Sequence, residues 1–164
     1  MLARYLVSFT ILTSVCAQDW SAYHGGFDNT KHSTLSQITT ENVSRLKLAW
    51  RFDTGDAESG TEMQCNPLVV RGVMYVTSPK LRVLAVDAVT GKQLWRFDPH
   101  GKAKVSGSFR NRGLNYWESG SDARLYFASG PWLYALNAKT GQPVASFGVN
   151  GRVNLRDGLG RDAA

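Results

Sequence analysis

Few side chains in this sequence have the type and spacing of a known catalytic motif. The three histidines, His24, His32 and His100, are too dispersed for a recognisable metal site or catalytic triad. The clearest candidate for chemistry is Arg112, in the segment 111–117 of sequence Asn-Arg-Gly-Leu-Asn-Tyr-Trp. A guanidinium group stays charged at all working pH values and can bind a carboxylate through two parallel hydrogen bonds. Such a group could bind an anionic small molecule, and the alternative is a surface arginine in a loop.

The composition and charge are those of an ordinary globular domain. The chain has 164 residues, of which 43% are hydrophobic and 20% charged, which argues against wholesale disorder. Its net charge is +6, but the lysines and arginines are scattered, with no run of four. This pattern favours a mildly basic exterior over a nucleic-acid surface, so no nucleic-acid partner is expected. A basic lumen that holds an anionic small molecule remains a further alternative.

Residues 1–17 are typical of a secretory signal peptide. Arg4 supplies the positive start, residues 5–15 are mostly apolar, and Ala17 suits the cleavage position. The apolar stretch is too short for a membrane anchor, and no later segment is a transmembrane candidate. A lipid anchor on Cys16 is the alternative, although the residues before it fit poorly. We therefore predict a periplasmic or secreted protein whose single remaining thiol, Cys65, behaves as a small buried apolar residue.

A repeat with an offset of fifty residues predicts the architecture. Segments 84–97 and 134–147 share Ala, Asp or Asn, Ala, Thr, Gly and Phe at matching positions, and strand-like runs 73–77 and 124–128 precede them. The Asp or Asn side chain can start a turn, and the glycine can close it with a positive φ. Each copy is therefore predicted to be a hairpin, and two hairpins make a four-stranded antiparallel sheet. Repeats of this length indicate a β-propeller, with an immunoglobulin-like sandwich as the alternative.

Only two clear copies are present, with a further unit indicated at residues 47–55. A closed propeller needs at least four blades. The last residues, 158–164, are rich in turn formers and contain no closing strand. We therefore expect this chain to be an incomplete propeller.

The repeat resembles the tryptophan-docking motif of the pyrroloquinoline-quinone (PQQ) dependent quinoprotein dehydrogenases, a family of eight-bladed propellers. The resemblance rests on Ala85, Asp87, Thr90, Gly91, Lys92 and Trp95, and further stretches at 19–25, 42–50, 67–76, 111–117 and 147–155 match as well. It implies that residues 18–164 form the first blades of such a propeller. In the second copy Asn137 replaces the Asp and Ala145 replaces the Trp, which puts its docking contact in doubt but leaves the turn intact.

The resemblance also implies a cofactor site. PQQ is a flat ortho-quinone with three carboxylates, and Arg112 occupies the place of the family arginine that contacts it. Gln64 stands where the family often has a glutamate that reaches the cofactor, with Glu62 as a nearby competitor and a capped strand start as the alternative. Ser129 lies near the family's Thr or Ser contact. The cysteine pair of some members is missing from residues 106–110, as in the sugar-oxidising branch, and the expected role of Trp117 and Trp132 is blade packing.

The function implied is oxidation of a glucose-like sugar or an alcohol, with PQQ as cofactor and a quinone or a cytochrome c as acceptor. The family uses Ca²⁺ as a Lewis acid and an aspartate as base, but their positions fall beyond this chain, so we assign no catalytic and no metal-binding residue and expect the chain alone to be inactive. The alternatives are a non-enzymatic propeller that acts as a binding or assembly scaffold, and a carbohydrate-binding module.

Overall fold

The protein is all-β over the residues that the computed structural model describes, 18–26, 28–105 and 109–160. The signal peptide expected at residues 1–17 lies outside them. A single 3-10 turn, Val43–Arg45, precedes two four-stranded antiparallel sheets. The first sheet contains β1 (Leu68–Val70), β2 (Val73–Thr77), β3 (Val83–Asp87) and β4 (Gln93–Phe97). The second contains β5 (Asn115–Ser119), β6 (Asp122–Ser129), β7 (Trp132–Asn137) and β8 (Arg152–Asn154).

Each sheet is a meander in which consecutive strands pair, in the orders β1-β2-β3-β4 and β5-β6-β7-β8. A Greek-key sandwich would exchange strands between its sheets, so the immunoglobulin-like alternative is wrong. β2 and the hairpin of β3 and β4 coincide with the strand run and the turn that the sequence predicts. The two sheets are the blades of a partial propeller, and we call them blade 1 and blade 2.

The main core lies between the two blades. Blade 1 contributes Tyr75, Val83 and Ala85 from one face, and blade 2 contributes a matching set that includes Leu125 and Phe127. Alternation along the strands sends the other side chains of blade 1 to its opposite face, where Trp50 and Phe52 of the amino-terminal segment cover them. Blade 1 is therefore covered on both faces, as an inner propeller blade must be.

The two predicted Thr-Gly turns form with nearly the same geometry. Oδ1 of Asp87 accepts hydrogen bonds from the amides of Val89 (3.1 Å) and Thr90 (2.7 Å) and from the Thr90 hydroxyl (2.8 Å). Oδ1 of Asn137 accepts the equivalent three bonds at 3.0, 3.0 and 3.2 Å. The turn needs only a carbonyl-type oxygen at this position, so the change from Asp to Asn leaves it intact, as predicted.

A tryptophan from the preceding unit docks onto each of these turns. The indole of Trp50 covers Gly91 and donates to the Ala88 carbonyl (3.2 Å). The indole of Trp95 covers Gly141 and donates to the Ala138 carbonyl (3.0 Å). A Cβ at either glycine would lie within 2.7 Å of the ring, so only glycine permits the contact. The second turn is therefore fully docked, and the doubt raised by Asn137 is removed. Ala145 stands where the first copy has Trp95, so blade 2 has no tryptophan at this position to dock onto the turn of a further unit.

Blade 2 closes its sheet differently from blade 1. Its turn starts as in blade 1, with the amide of Asn137 donating to the Gln142 carbonyl and the amide of Val144 to the Ala135 carbonyl. Pro143 has no amide hydrogen to continue the ladder. The chain then loops out and returns at Gly151, whose carbonyl accepts from the Ala135 amide (3.0 Å), and β8 follows. The outer strand is thus later and shorter than the repeat predicts.

The two blades share a lower and an upper end, and the two ends carry different residues. We call the end that carries the Thr-Gly turns the lower end; there the Ala88 amide donates to the Gly72 carbonyl and the Ala138 amide to the Ala123 carbonyl. The upper end is the opposite one, where β1 and β5 begin and β2 and β6 end. Gln64, Arg112 and Ser129 all lie at the upper end.

Candidate functional site

The loop around Arg112 is built from the residues that flank it. Oδ1 of Asn111 accepts a hydrogen bond from the Gly113 amide (2.6 Å), and its Nδ2 donates to the Ala128 carbonyl (3.4 Å). Gly113 has a φ of 134°, and a Cβ there would lie 2.9 Å from the Asn66 carbonyl oxygen. This close approach lets the segments leading into β1 and β5 meet in a parallel bridge, Asn66 with Gly113. The Asn-Arg-Gly sequence therefore fixes the backbone of Arg112 against blade 1.

The Arg112 carbonyl is the acceptor in this junction. It accepts hydrogen bonds from the Asn66 amide (3.0 Å) and from Asn66 Nδ2 (3.4 Å). The guanidinium group is exposed, and among residues 18–26, 28–105 and 109–160 no hydrogen bond or ion pair holds it. An exposed guanidinium with free donors can bind a carboxylate through paired hydrogen bonds.

Gln64 lies two residues before the same junction. It is half-buried, and its amide nitrogen donates to Oε1 of Glu62 (2.8 Å). The same Glu62 oxygen accepts from Nε of Arg110 (2.8 Å), in an exposed ion pair. Glu62 is therefore engaged by two partners and its charge is offset, while the carbonyl oxygen of the Gln64 side chain stays available. Between the two candidates, the geometry favours Gln64 as the polar group offered to a ligand.

Ser129 ends β6 and is placed apart from this junction. Only 7% of it is exposed. It lines a cavity of about 300 Å³ together with His100, Phe109, Trp132 and Arg152. The Asn66 bridge thus joins the segment that carries Gln64 to the loop that carries Arg112, and the bond from Asn111 to Ala128 links that loop to the end of β6 beside Ser129.

A buried ion network supports the upper end of blade 1. Arg82 donates from one nitrogen to Asp56 (2.9 Å) and from Nε to Asp98 (2.7 Å), and the Ser78 hydroxyl donates to Asp56 (2.5 Å). Burial alone would raise the pKa of Asp56, but the hydrogen bonds from Ser78 and Arg82 outweigh it and lower the pKa below its usual value. The pKa of Asp98 is lowered in the same balance of burial against Arg82. This network ties the segment leading to Glu62 and Gln64 onto blade 1.

The two tryptophans of the predicted packing role lie in different settings. Trp132 packs against the core between the blades, with the guanidinium carbon of Arg152 over its ring at 4.1 Å. Trp117 is 45% exposed on the outer face of blade 2, with Arg124 at 5.5 Å. Cys65 is half-buried beside the second core cluster, and its sulfur accepts a hydrogen bond from the Thr77 amide (3.2 Å).

Some features of the site were missed from sequence. Asn111 gave a signal, since it opens the 111–117 motif, but its tether to Ala128 could not be foreseen. Arg110 lies outside that motif, and its role as charge partner depends on Glu62. Arg152 gave none, because an arginine in a short strand is usually a solvent-facing residue. In the described part of the chain, three or more His, Cys, Asp or Glu side chains nowhere cluster as a metal site, and no helix is long and apolar enough to cross a membrane.

The PQQ site expected from the resemblance can be tested against these residues. PQQ needs cations for its carboxylates and polar groups at its rim. Arg112, with its unpaired guanidinium, meets the first need, and the half-buried Gln64 meets the second without adding a negative charge. The Glu62 carboxylate, which would repel the cofactor, is paired with Arg110. The donor set on the upper end therefore fits PQQ.

Comparison with known proteins gives the same family. The PQQ family model, described as glucose/ethanol/alcohol dehydrogenase, beta-propeller domain, matches residues 20–164. The dehydrogenase subunit of a quinone alcohol dehydrogenase from Gluconobacter oxydans (strain 621H) is 40% identical over 139 residues, which cover 78% of this chain and 17% of that protein. Quinoprotein glucose dehydrogenase A of Acinetobacter calcoaceticus is 33% identical over 170 residues, 87% of this chain and 21% of that one.

A solved structure agrees with the sequence relatives. The crystal structure of quinohemoprotein alcohol dehydrogenase from Comamonas testosteroni superposes with a TM-score of 0.70 at 32% identity, and the match covers 86% of this chain and 20% of that one. The chain spans about a fifth of the length of the curated relatives it matches. On the family match, the identities and the shared blade structure, this chain belongs to the PQQ-dependent quinoprotein dehydrogenase family.

Proposed function

We propose that this chain supplies the first two blades of a dehydrogenase that oxidises a glucose-like sugar or an alcohol with PQQ as cofactor. The observation that carries the proposal is the unpaired guanidinium of Arg112, whose backbone is held by the bond from Asn66 at the same upper end that carries Gln64. The related proteins named as alcohol and glucose dehydrogenases support this substrate class. A quinone or a cytochrome c is the proposed electron acceptor.

Arg112 binds a carboxylate of the cofactor and orients it. A paired set of hydrogen bonds from a guanidinium to a carboxylate fixes both distance and plane, which an ammonium would not do. The backbone bonds from Asn66 to the Arg112 carbonyl restrict the loop, so that less freedom is lost when the ligand binds.

Gln64 completes the contact as a neutral hydrogen-bonding group. Its side chain can donate or accept, and it adds no charge next to an anionic ligand. Arg110 offsets the charge of Glu62 in an exposed ion pair. PQQ, when bound, supplies an ortho-quinone that accepts hydride from the alcohol carbon of the substrate. We propose that Ca²⁺ ligands and the base come from segments of the full-length protein outside this chain, so that the chain alone does not turn over substrate.

We also propose that the protein acts in the periplasm or outside the cell, with residues 1–17 removed as a signal peptide. The composition of residues 1–17 supports this proposal. Amino-terminal sequencing of the mature protein should begin at Gln18. A mature protein that retains Met1 would contradict it.

The activity is tested on the complete product of the gene, reconstituted with PQQ and Ca²⁺ and assayed with glucose, ethanol and a dye acceptor. We expect turnover from the complete product and none from the 164-residue chain. Arg112→Gln should lower the turnover at limiting PQQ by tenfold or more, whereas Arg96→Gln, an exposed arginine on β4, should leave it unchanged. A complete product that binds no PQQ would instead favour a non-enzymatic scaffold.

A further inference from the structure

A second candidate binding site lies between the blades, apart from Arg112. The cavity of about 300 Å³ that holds Ser129 is bordered by His100, Phe109, Trp132 and Arg152, with the buried Tyr134 behind them. At about 30 Å³ for each water-sized group, it holds on the order of ten heavy atoms. Its walls come from both blades, since His100 follows β4 of blade 1, while Ser129, Trp132 and Arg152 lie in strands of blade 2.

The guanidinium group of Arg152, which lines this cavity, uses only part of its hydrogen-bonding capacity. Arg152 stacks on Trp132 at 4.1 Å and donates one long hydrogen bond to the Tyr134 hydroxyl (3.3 Å). In the described part of the chain no carboxylate forms an ion pair with Arg152, and Asp157, which lines a neighbouring pocket together with Arg152, accepts a hydrogen bond from Asn154 (2.8 Å). Stacking fixes the plane of the guanidinium, and its remaining donors stay free for an oxygen ligand.

An unpaired hydroxyl borders the same space. Ser129 is more than nine-tenths buried, and the described residues form no hydrogen bond with its hydroxyl. The hydroxyl oxygen is not itself sealed from the cavity, since the one buried side-chain oxygen without a partner among the described residues is Oδ1 of Asp56. It can therefore donate to a ligand that enters the cavity. Among the described residues no acidic side chain lines the cavity. The polar groups therefore favour an anion.

The remaining walls are aromatic and suit a flat ring. Phe109 and His100 lie with ring centroids 5.7 Å apart, and Nε2 of His100 donates to the Lys80 carbonyl (2.9 Å), which holds that ring in place. Trp132 forms a further flat surface. We propose that this cavity binds a small aromatic or cyclic carboxylate, with the carboxylate on Arg152 and the Ser129 hydroxyl and the ring between the aromatic walls.

The site can be tested with benzoate and its neutral analogue benzyl alcohol. Amide and indole chemical shifts of the ¹⁵N-labelled protein are followed during titration with each probe, without PQQ. We expect saturable shifts at the Trp132 indole and near Ser129 with benzoate, at least tenfold weaker with benzyl alcohol, because only the carboxylate can pair with Arg152.

Two variants and a control locate the effect. Arg152→Gln should weaken benzoate binding about tenfold, and Ser129→Ala, which removes only the hydroxyl, should weaken it severalfold. Arg96→Gln, at an exposed arginine on β4, should leave the shifts at Trp132 and Ser129 unchanged. Equal binding of the two probes, unchanged binding in both cavity variants, or shifts confined to the Arg112 loop would each overturn the proposal. Because the titration needs no PQQ, its failure would leave the proposed dehydrogenase function untouched.

Discussion

The lower and upper ends of the two blades arise from the same repeat, but they treat their polar groups in opposite ways. At the lower end each Thr-Gly turn satisfies its own side chains and receives a tryptophan whose N–H also finds a carbonyl. At the upper end Arg112 and Ser129 have side chains without a protein partner among the described residues. Satisfied groups contribute to the stability of the fold, and groups left without partners are free for ligands. We therefore assign the lower end to the scaffold and the upper end to function.

The largest expected effect of a substitution is at the tryptophan that joins the blades. Trp95→Ala should lower the free energy of unfolding by about 4 kcal/mol, because it empties the contact with Gly141 and the core and leaves the Ala138 carbonyl unpaired. Trp117→Ala is the matched control, since Trp117 is half exposed and lies outside the core; its cost should stay under about 1 kcal/mol. Urea denaturation measures both. Equal losses would break the distinction between docked and exposed aromatics.

The glycine under that tryptophan should come next. In Gly141→Ala, a Cβ would lie 2.5 Å from Cε3 of Trp95 on a backbone with φ 71°, so the cost should be about 3 kcal/mol. Gly120→Ala has a similar φ of 58° but meets no atom within 4 Å, and its cost should be about 1 kcal/mol. The difference between the two melting temperatures isolates the clash from the backbone strain. Costs of the same size would show that docking does not depend on the bare glycine.

A third substitution tests whether the upper end also contains a network that stabilises the fold. Asp56 and Asp98 have pKa values lowered in the folded protein, against about 3.9 when unfolded. Their contribution to stability is therefore complete above about pH 4 and is lost as the pH falls through the lowered folded values. Arg82→Met should cost about 2 kcal/mol at pH 7, because it leaves the buried Asp56 carboxylate without its cation and with the Ser78 hydroxyl as its remaining partner, and less at pH 3.

The control for this network is an exposed ion pair. Arg71→Met removes the ion pair with Glu118, in which both side chains are exposed. It should cost less than about 0.5 kcal/mol at either pH. Urea denaturation at pH 7 and pH 3 compares the two variants. A loss in Arg82→Met that does not change with pH would contradict the assignment of the network to these carboxylates.

The lower end could be predicted from sequence because its information is local. Asp87, Thr90 and Gly91 form their turn within five residues, and the same spacing in the second copy forms the same turn. The partner of Trp95 could not be read in this way, because the indole docks onto the turn of the next blade, forty-three residues along the chain. The last strand of blade 2, β8, begins later than the repeat predicts. The reason is that Pro143 and the loop after it interrupt the hydrogen-bond ladder that the repeat alone would continue.

The upper end could be predicted only in part. The Asn-Arg-Gly sequence singled out Arg112, and the exposed guanidinium is consistent with that choice, but the bridge between Asn66 and Gly113 that positions it joins segments far apart in sequence. Ser129 was chosen by its place after a strand, and its position in a cavity with Arg152 depends on the packing of both blades. A PQQ contact for Ser129 stays a prediction and is the alternative to the carboxylate contact proposed for it above. The PQQ contacts of Arg112 and Gln64 stay predictions as well.

The central claim is that Arg112 serves a ligand and not the fold, and one measurement tests it directly. PQQ affinity and the free energy of unfolding are determined for the complete gene product and for Arg112→Gln and Arg96→Gln. We predict that Arg112→Gln binds PQQ tenfold to a hundredfold more weakly while its stability changes by less than about 0.5 kcal/mol, and that Arg96→Gln changes neither. Unchanged PQQ affinity in Arg112→Gln, or an equal loss in Arg96→Gln, would contradict the account.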